Sequence, residues 1–152
     1  MIDQQLASLI HDGVGIHIGT RNSRFEPNGA RAIAARAEAD GKHLVIYISS
    51  VAAARVLPDL EANGLAAVVF ARPRDERACQ VKGTFVSSRP VTDEERGIAR
   101  AQWHSFLESL DYIGIPPAAA ATWINVADVA IRLKVTAVFE QTPGPQAGHA
   151  IA

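Results

Sequence analysis

"RACQVKGTFVSSR", residues 77–89, decides how the rest of the chain is read. With period two, Cys79, Val81, Gly83 and Phe85 point one way, and Gln80, Lys82, Thr84 and Val86 the other. This is the pattern of a strand with one face on a core. The second face carries an amide, an ammonium and a hydroxyl in a row, a surface that suits either water or a ligand. Just upstream, "LAAVVFA" (65–71) reads as a buried strand, and "RPRDER" (72–77) as the charged connection between the two.

The same periodicity extends the sheet in both directions. "VGIHIGT" (14–20) alternates Val14, Ile16 and Ile18 with Gly15, His17 and Gly19, so one face of this strand is nearly bare. Glycine weakens a strand, and its repetition points to close approach by something flat or by another backbone. "ARAIAARAEA" (30–39) and "KHLVIYIS" (42–49) flank Asp40-Gly41, a hairpin signal. A last long strand lies within residues 123–141, with Ile131, Leu133 and Val135 on one face and Arg132, Lys134 and Thr136 on the other.

Helical spacing appears in three places. Ile2, Leu6, Leu9 and Ile10 form one apolar stripe, which Gly13 can close. Ser49 or Ser50 can cap a short helix that ends at Asn63-Gly64, and Pro58 predicts a break within it. Thr92 and Glu95 form a capping box ahead of an amphipathic run through Ala99, Trp103, Phe106 and Leu110. "GIPPAAAAT" (114–122) is irregular at its prolines, residues 142–152 read as loop, and no internal repeat is visible. The prediction is a single domain over residues 1–152 of α+β, mainly β class, a six-stranded antiparallel barrel with two or three flanking helices.

Composition bounds the function. The 152 residues, 48% hydrophobic and 20% charged, suit a soluble globule. A net charge of −1 exerts no general pull on nucleic acid or on a membrane surface, so any anion site is local. The single cysteine forms no intrachain disulfide, which fits a cytoplasmic location. No signal peptide and no membrane span is expected, because the N-terminus lacks a basic region followed by a long apolar run.

Chemistry-bearing motifs are few. The five histidines, His11, His17, His43, His104 and His149, make no zinc-type pairing with Cys79, and no metal site is expected. Cys79 falls among core-facing residues and reads as a small buried hydrophobe. No nucleophile motif stands out, so the catalytic residues are unknown. One constellation remains: Ser49 and Ser50 at a helix start, Arg55 about one turn in, and Arg36 on the neighbouring strand. Hydroxyls, a helix N-terminus and guanidinium groups are what a phosphate needs; equally, these are residues that a surface carries beside a capping serine.

The order of elements, with "RAIAAR", "DGKHLVIYISS", "LEANGLAAVVF" and "QVKG" in sequence, resembles the pyridoxamine 5′-phosphate oxidase-like family of FMN-binding split barrels. The resemblance runs from about Val14 to Arg89. It implies a homodimer with FMN at the interface, and with it an oxidoreductase acting on a small-molecule substrate. On this resemblance Arg36, Ser49, Ser50 and Arg55 match phosphate-side residues, while Gln80 and Lys82 face the flavin groove. The family's Ser-Arg-Lys triplet reads Ala54-Arg55-Val56 here, so one hydroxyl and one cation are replaced. The Arg-Leu-x-Pro segment of true vitamin B6 oxidases does not appear, so pyridoxamine phosphate is not the expected substrate. The alternative is a split-barrel binding protein that holds haem, with His17 or His149 as ligand, a deazaflavin, another ligand, or no cofactor.

Overall fold

The computed structural model describes residues 1–151; Ala152, at the end of the expected tail loop, lies outside the described residues. In chain order the elements are α1 (Gln4–His11), β1 (Gly15–Arg21), β2 (Pro27–Ala32), β3 (Ala34–Ala37), β4 (His43–Ile48), α2 (Ser50–Asn63), β5 (Leu65–Ala71), β6 (Ala78–Pro90), α3 (Asp93–Tyr112), a 3-10 turn (Pro117–Ala120) and β7 (Val129–Glu140). The strands form one antiparallel sheet in the order β2-β1-β5-β6-β7-β4-β3. Its two end strands, β2 and β3, are consecutive in the chain and separated only by Ile33. The sheet therefore curls until its ends meet at one residue, whose N–H donates to the Tyr47 carbonyl (2.9 Å).

The described residues hold seven strands, not the expected six. The reason is local. Ala32 belongs to the core inside the sheet, Ile33 and Ala34 both belong to the cluster outside it, and Ala35 points inward again. Two consecutive residues on one face break the alternation and divide the expected strand in two. The kink also sets where two arginines go: Arg31 and Arg36, five positions apart, would face opposite ways on an unbroken strand, and both lie on the outside here.

The inner core joins Ile16 and Ile18 of β1, Leu44 and Ile46 of β4, Val68 and Phe70 of β5, and Cys79 and Val81 of β6. Leu9 and Ile10 of α1 and Val56 and Leu60 of α2 add to it. At roughly 1.5–3 kcal/mol for each fully buried large side chain, this cluster is the main stabilising element of the fold. α3 packs outside, its Ala99, Trp103, Phe106 and Leu110 against Ile33, Val45 and Tyr47.

Helix ends follow the local signals. The Ser49 side chain accepts from the Ala52 N–H, and Gly64, with φ of 72°, ends α2 in the left-handed conformation. Thr92 and Glu95 form the capping box of α3. The break expected at Pro58 does not occur: α2 runs through it to Asn63. Ala54, whose carbonyl loses its partner at Pro58, and Pro58 itself are both exposed, so water can replace the missing bond. The tail folds back on β7: Gly148 N–H donates to the Glu140 carbonyl (2.7 Å), and Ile151 N–H to that of Val138 (2.8 Å). No helix among the described residues is long and apolar enough to cross a membrane.

Candidate functional site: a pocket beside the barrel kink

β6 keeps the predicted faces. Cys79, Val81 and Gly83 are buried, Gln80 and Thr84 are half-buried, and Lys82 is exposed. Register places the outward residues in rows: His17 opposite Val69 and Val69 opposite Gln80, then Gly19 opposite Ala67 and Ala67 opposite Lys82. The second row, with Arg21 and Thr136, lines an open depression of about 570 Å³. A Cβ added to Gly19 would meet only the Ala67 carbonyl oxygen, at 3.8 Å, so this wall is low and flat. Lys82 Nζ lies 4.9 Å from the Phe139 ring centre. At Gly15, by contrast, the close neighbour is the Phe106 ring of α3.

A second recess, of about 250 Å³, opens where β2 turns at Ile33, between the start of α2 and residues 123–124. Arg31, Ser49, Arg55, Trp123 and Ile124 line it. Arg31 was not a candidate from sequence. It is half-buried, and its guanidinium sits 4.6 Å from the Trp103 ring centre, 5.0 Å from Phe106 and 4.5 Å from Trp123. Its Nη1 is buried without a hydrogen-bond partner. Burial works against the Arg31 charge, and partial desolvation of the neighbouring His17, whose ring keeps one side in water, together with the Arg31 charge holds it below the usual imidazole pKa. Sequence pattern does not single out Arg31, because its partners, Trp103, Phe106 and Trp123, come from remote segments. The Trp103/Phe106 pair at i, i+3 was the visible half of the signal.

The six sequence candidates divide among four places. Ser49 and Arg55 share the recess with Arg31. Arg55 is exposed, and its carbonyl accepts from Asn28. Ser50 is exposed, and its N–H donates to Asp128 Oδ2 (2.8 Å). With Ala52 N–H already on the Ser49 hydroxyl, the chain itself occupies two of the donors at the α2 N-terminus. Arg36 lies apart, its Nη2 3.7 Å from Glu95 Oε1 and its Nε buried without a partner. Gln80 and Lys82 stand on the outer wall of β6.

The Glu95 carboxylate beside Arg36 is a structural hub. It is 4% exposed and accepts from both Arg89 terminal nitrogens (2.7 Å each), from Thr92 N–H (2.9 Å) and from the Tyr47 hydroxyl (3.2 Å). These bonds, Arg89 foremost, hold its pKa at about 2. Glu38, Asp40 and His43 bring three potential ligand atoms within 4.8 Å of one another. Arg132 already binds both Glu38 oxygens, and His43 Nδ1 lies 2.6 Å from Asp40 Oδ2. His17 is exposed on the outer wall, and His149 is exposed in the tail.

The topology defines the class: the chain has the fold of the pyridoxamine 5′-phosphate oxidase-like split barrels. HupZ from Group A Streptococcus is 16% identical over 97% of this chain and 100% of its own, with a TM-score of 0.57. An F420 reductase is 17% identical over 86% of this chain and 93% of its own (TM-score 0.53). An FMN-binding protein from Syntrophomonas wolfei is 10% identical over 88% of this chain and 86% of its own (TM-score 0.51). No family profile and no curated protein matches the chain.

Proposed function

We propose that this chain is an FMN-binding flavoprotein, an oxidoreductase of a small-molecule substrate that works as a homodimer. The observation that carries the reading is Arg31, a half-buried guanidinium with one orphaned nitrogen in a recess it shares with Arg55 and Ser49. No Arg31 side-chain nitrogen has a hydrogen-bond partner among the described residues, so a phosphate monoester in the recess would meet an unpaired guanidinium, and Arg31 and Arg55 would share its charge. Ser50 and the α2 N-terminus play a smaller part than the sequence suggests, because Asp128 holds that donor.

The recess has room for the phosphate end of the cofactor. The flat ring fits the outer wall, where Gly19 and Ala67 offer a low surface flanked by Gln80 and Lys82. That wall is open on one side, and a second copy of the chain would close it; Arg36 would then support the phosphate side from the far edge of the kink. Bound FMN supplies the electron-carrying chemistry, while the protein binds, orients and shields it. The F420 reductase with the same fold makes a deazaflavin the second reading.

The absorption spectrum of the purified protein, followed by titration with FMN and with a deazaflavin, tests both readings, since flavin, deazaflavin and haem bands are distinct. Light scattering on the same sample is expected to show a dimer. A folded protein that takes up neither ring, or that stays monomeric at micromolar concentration, overturns the proposal.

A further inference from the structure

Between Glu95 and Glu108, α3 carries no acidic residue, and Arg96, Arg100 and His104 recur there at every fourth position. That spacing stacks them along one helix face over two turns. Beneath them lies a recess of about 330 Å³, closed on its other side by residues 125–127. Its floor is apolar: Ala99 is 3% exposed, Trp103 8% and Ala127 4%.

The three side chains are set differently. Arg96 Nη1 donates to the Ala127 carbonyl (3.1 Å), and its Nε lies 3.8 Å from Asp93 Oδ1, so this guanidinium is held across one edge of the recess. Arg100 and His104 are exposed, with no ion pair or side-chain hydrogen bond among the described residues. An oriented guanidinium paired loosely with exposed Asp93, a free guanidinium and an imidazole thus border an apolar floor.

We infer that this recess binds a small organic carboxylate with a flat apolar body, its carboxylate between Arg96 and Arg100 and its body on Trp103. The chemistry of the lining selects this class. Paired guanidinium groups recognise a carboxylate through directed, charge-assisted bonds. A floor of methyl groups and an indole suits an aromatic or aliphatic body and would leave a sugar's hydroxyls without partners. The volume matches the lower end of small-molecule pockets, roughly 300–1,000 Å³. Two guanidinium groups on a chain of net charge −1 make too small a footprint for nucleic acid.

The chain has two tryptophans, Trp103 and Trp123, so its amide NMR spectrum contains two indole N–H signals, which Trp123→Phe assigns. Titration of the full chain with 2-naphthoate should shift the Trp103 signal saturably. The neutral analogue 2-naphthalenemethanol, which loses the charge-assisted bonds to both guanidinium groups, and naphthoate with Arg100→Glu, which replaces one such bond by repulsion, should each bind at least about tenfold more weakly. Arg100 has no internal partner, so the rest of the variant's spectrum should be unchanged. The inference is overturned by the absence of a saturable shift, by equal binding of the neutral analogue, or by wild-type affinity in Arg100→Glu. A shift of the Trp103 signal by a poly-glutamate peptide but not by naphthoate overturns it too, by pointing to a protein partner.

Discussion

If FMN binds as proposed, Arg31 outweighs Arg55, the reverse of what the sequence pattern suggests. Arg31 lies within 5.0 Å of three ring centres and keeps an unpartnered buried nitrogen, whereas Arg55 is exposed on α2. A phosphate meeting Arg31 is in a water-poor setting. Removing one partner of such a pair costs about 2–5 kcal/mol, or roughly thirty-fold to several thousand-fold in affinity. An exposed pair is worth about 1 kcal/mol or less, so Arg55→Ala should weaken FMN by no more than about fivefold. Arg31→Gln should fall in the larger range. Arg31→Lys should recover only part of the loss, because an ammonium keeps the charge but not the planar fork that stacks on the rings. The assay is flavin fluorescence titration of wild type and the three variants with FMN and with riboflavin. Riboflavin has no phosphate, so its affinity should change little. The reasoning is refuted if Arg31→Gln binds FMN like wild type, if Arg55→Ala loses more than Arg31→Gln, or if FMN and riboflavin affinities fall together.

Two further outcomes concern stability. Cys79 is 2% exposed, and burial pushes its thiol up to about 12, so labelling of the native protein should be slow; Cys79→Ser should lose roughly 1–3 kcal/mol in urea unfolding, and rapid native labelling would show the inward assignment to be wrong. Glu95 titrates at about 2 in the folded chain against an ordinary 4.5, so the folded state binds its proton less readily than the unfolded state. Its contribution, up to about 3 kcal/mol, is therefore present above pH 4.5 and disappears as pH falls toward 2. The stability gap between wild type and Glu95→Gln should close over that window, and a gap that does not change with pH would remove the carboxylate from the hub.

Much of the architecture was legible because its signals are local. The alternation of Cys79, Val81 and Gly83 placed β6, the Asp40-Gly41 pair placed the β3–β4 hairpin, and Ser49, Gly64 and the Thr92/Glu95 box placed helix ends. Each depends on residues within about one turn or one strand, so neighbours in the chain suffice to specify it. The inward place of Cys79 and the outward place of Lys82 follow from the same period. Other features depend on contacts between remote segments. The slip of alternation at Ile33 comes from closing the sheet against Tyr47 while α3 covers the kink, and that slip puts Arg31 and Arg36 on one side of the barrel. Pro58 stays helical because α2 faces water at the lost bond, and Asp128, nearly eighty residues along the chain, takes the donor of Ser50. Local pattern in the chain specified most of the elements and which face of each is apolar, but neither the division at Ile33 nor the continuity of α2 through Pro58. Which polar groups meet at the kink was set by folding, because a charge's partner depends on the packing of distant segments and on how much water that packing leaves.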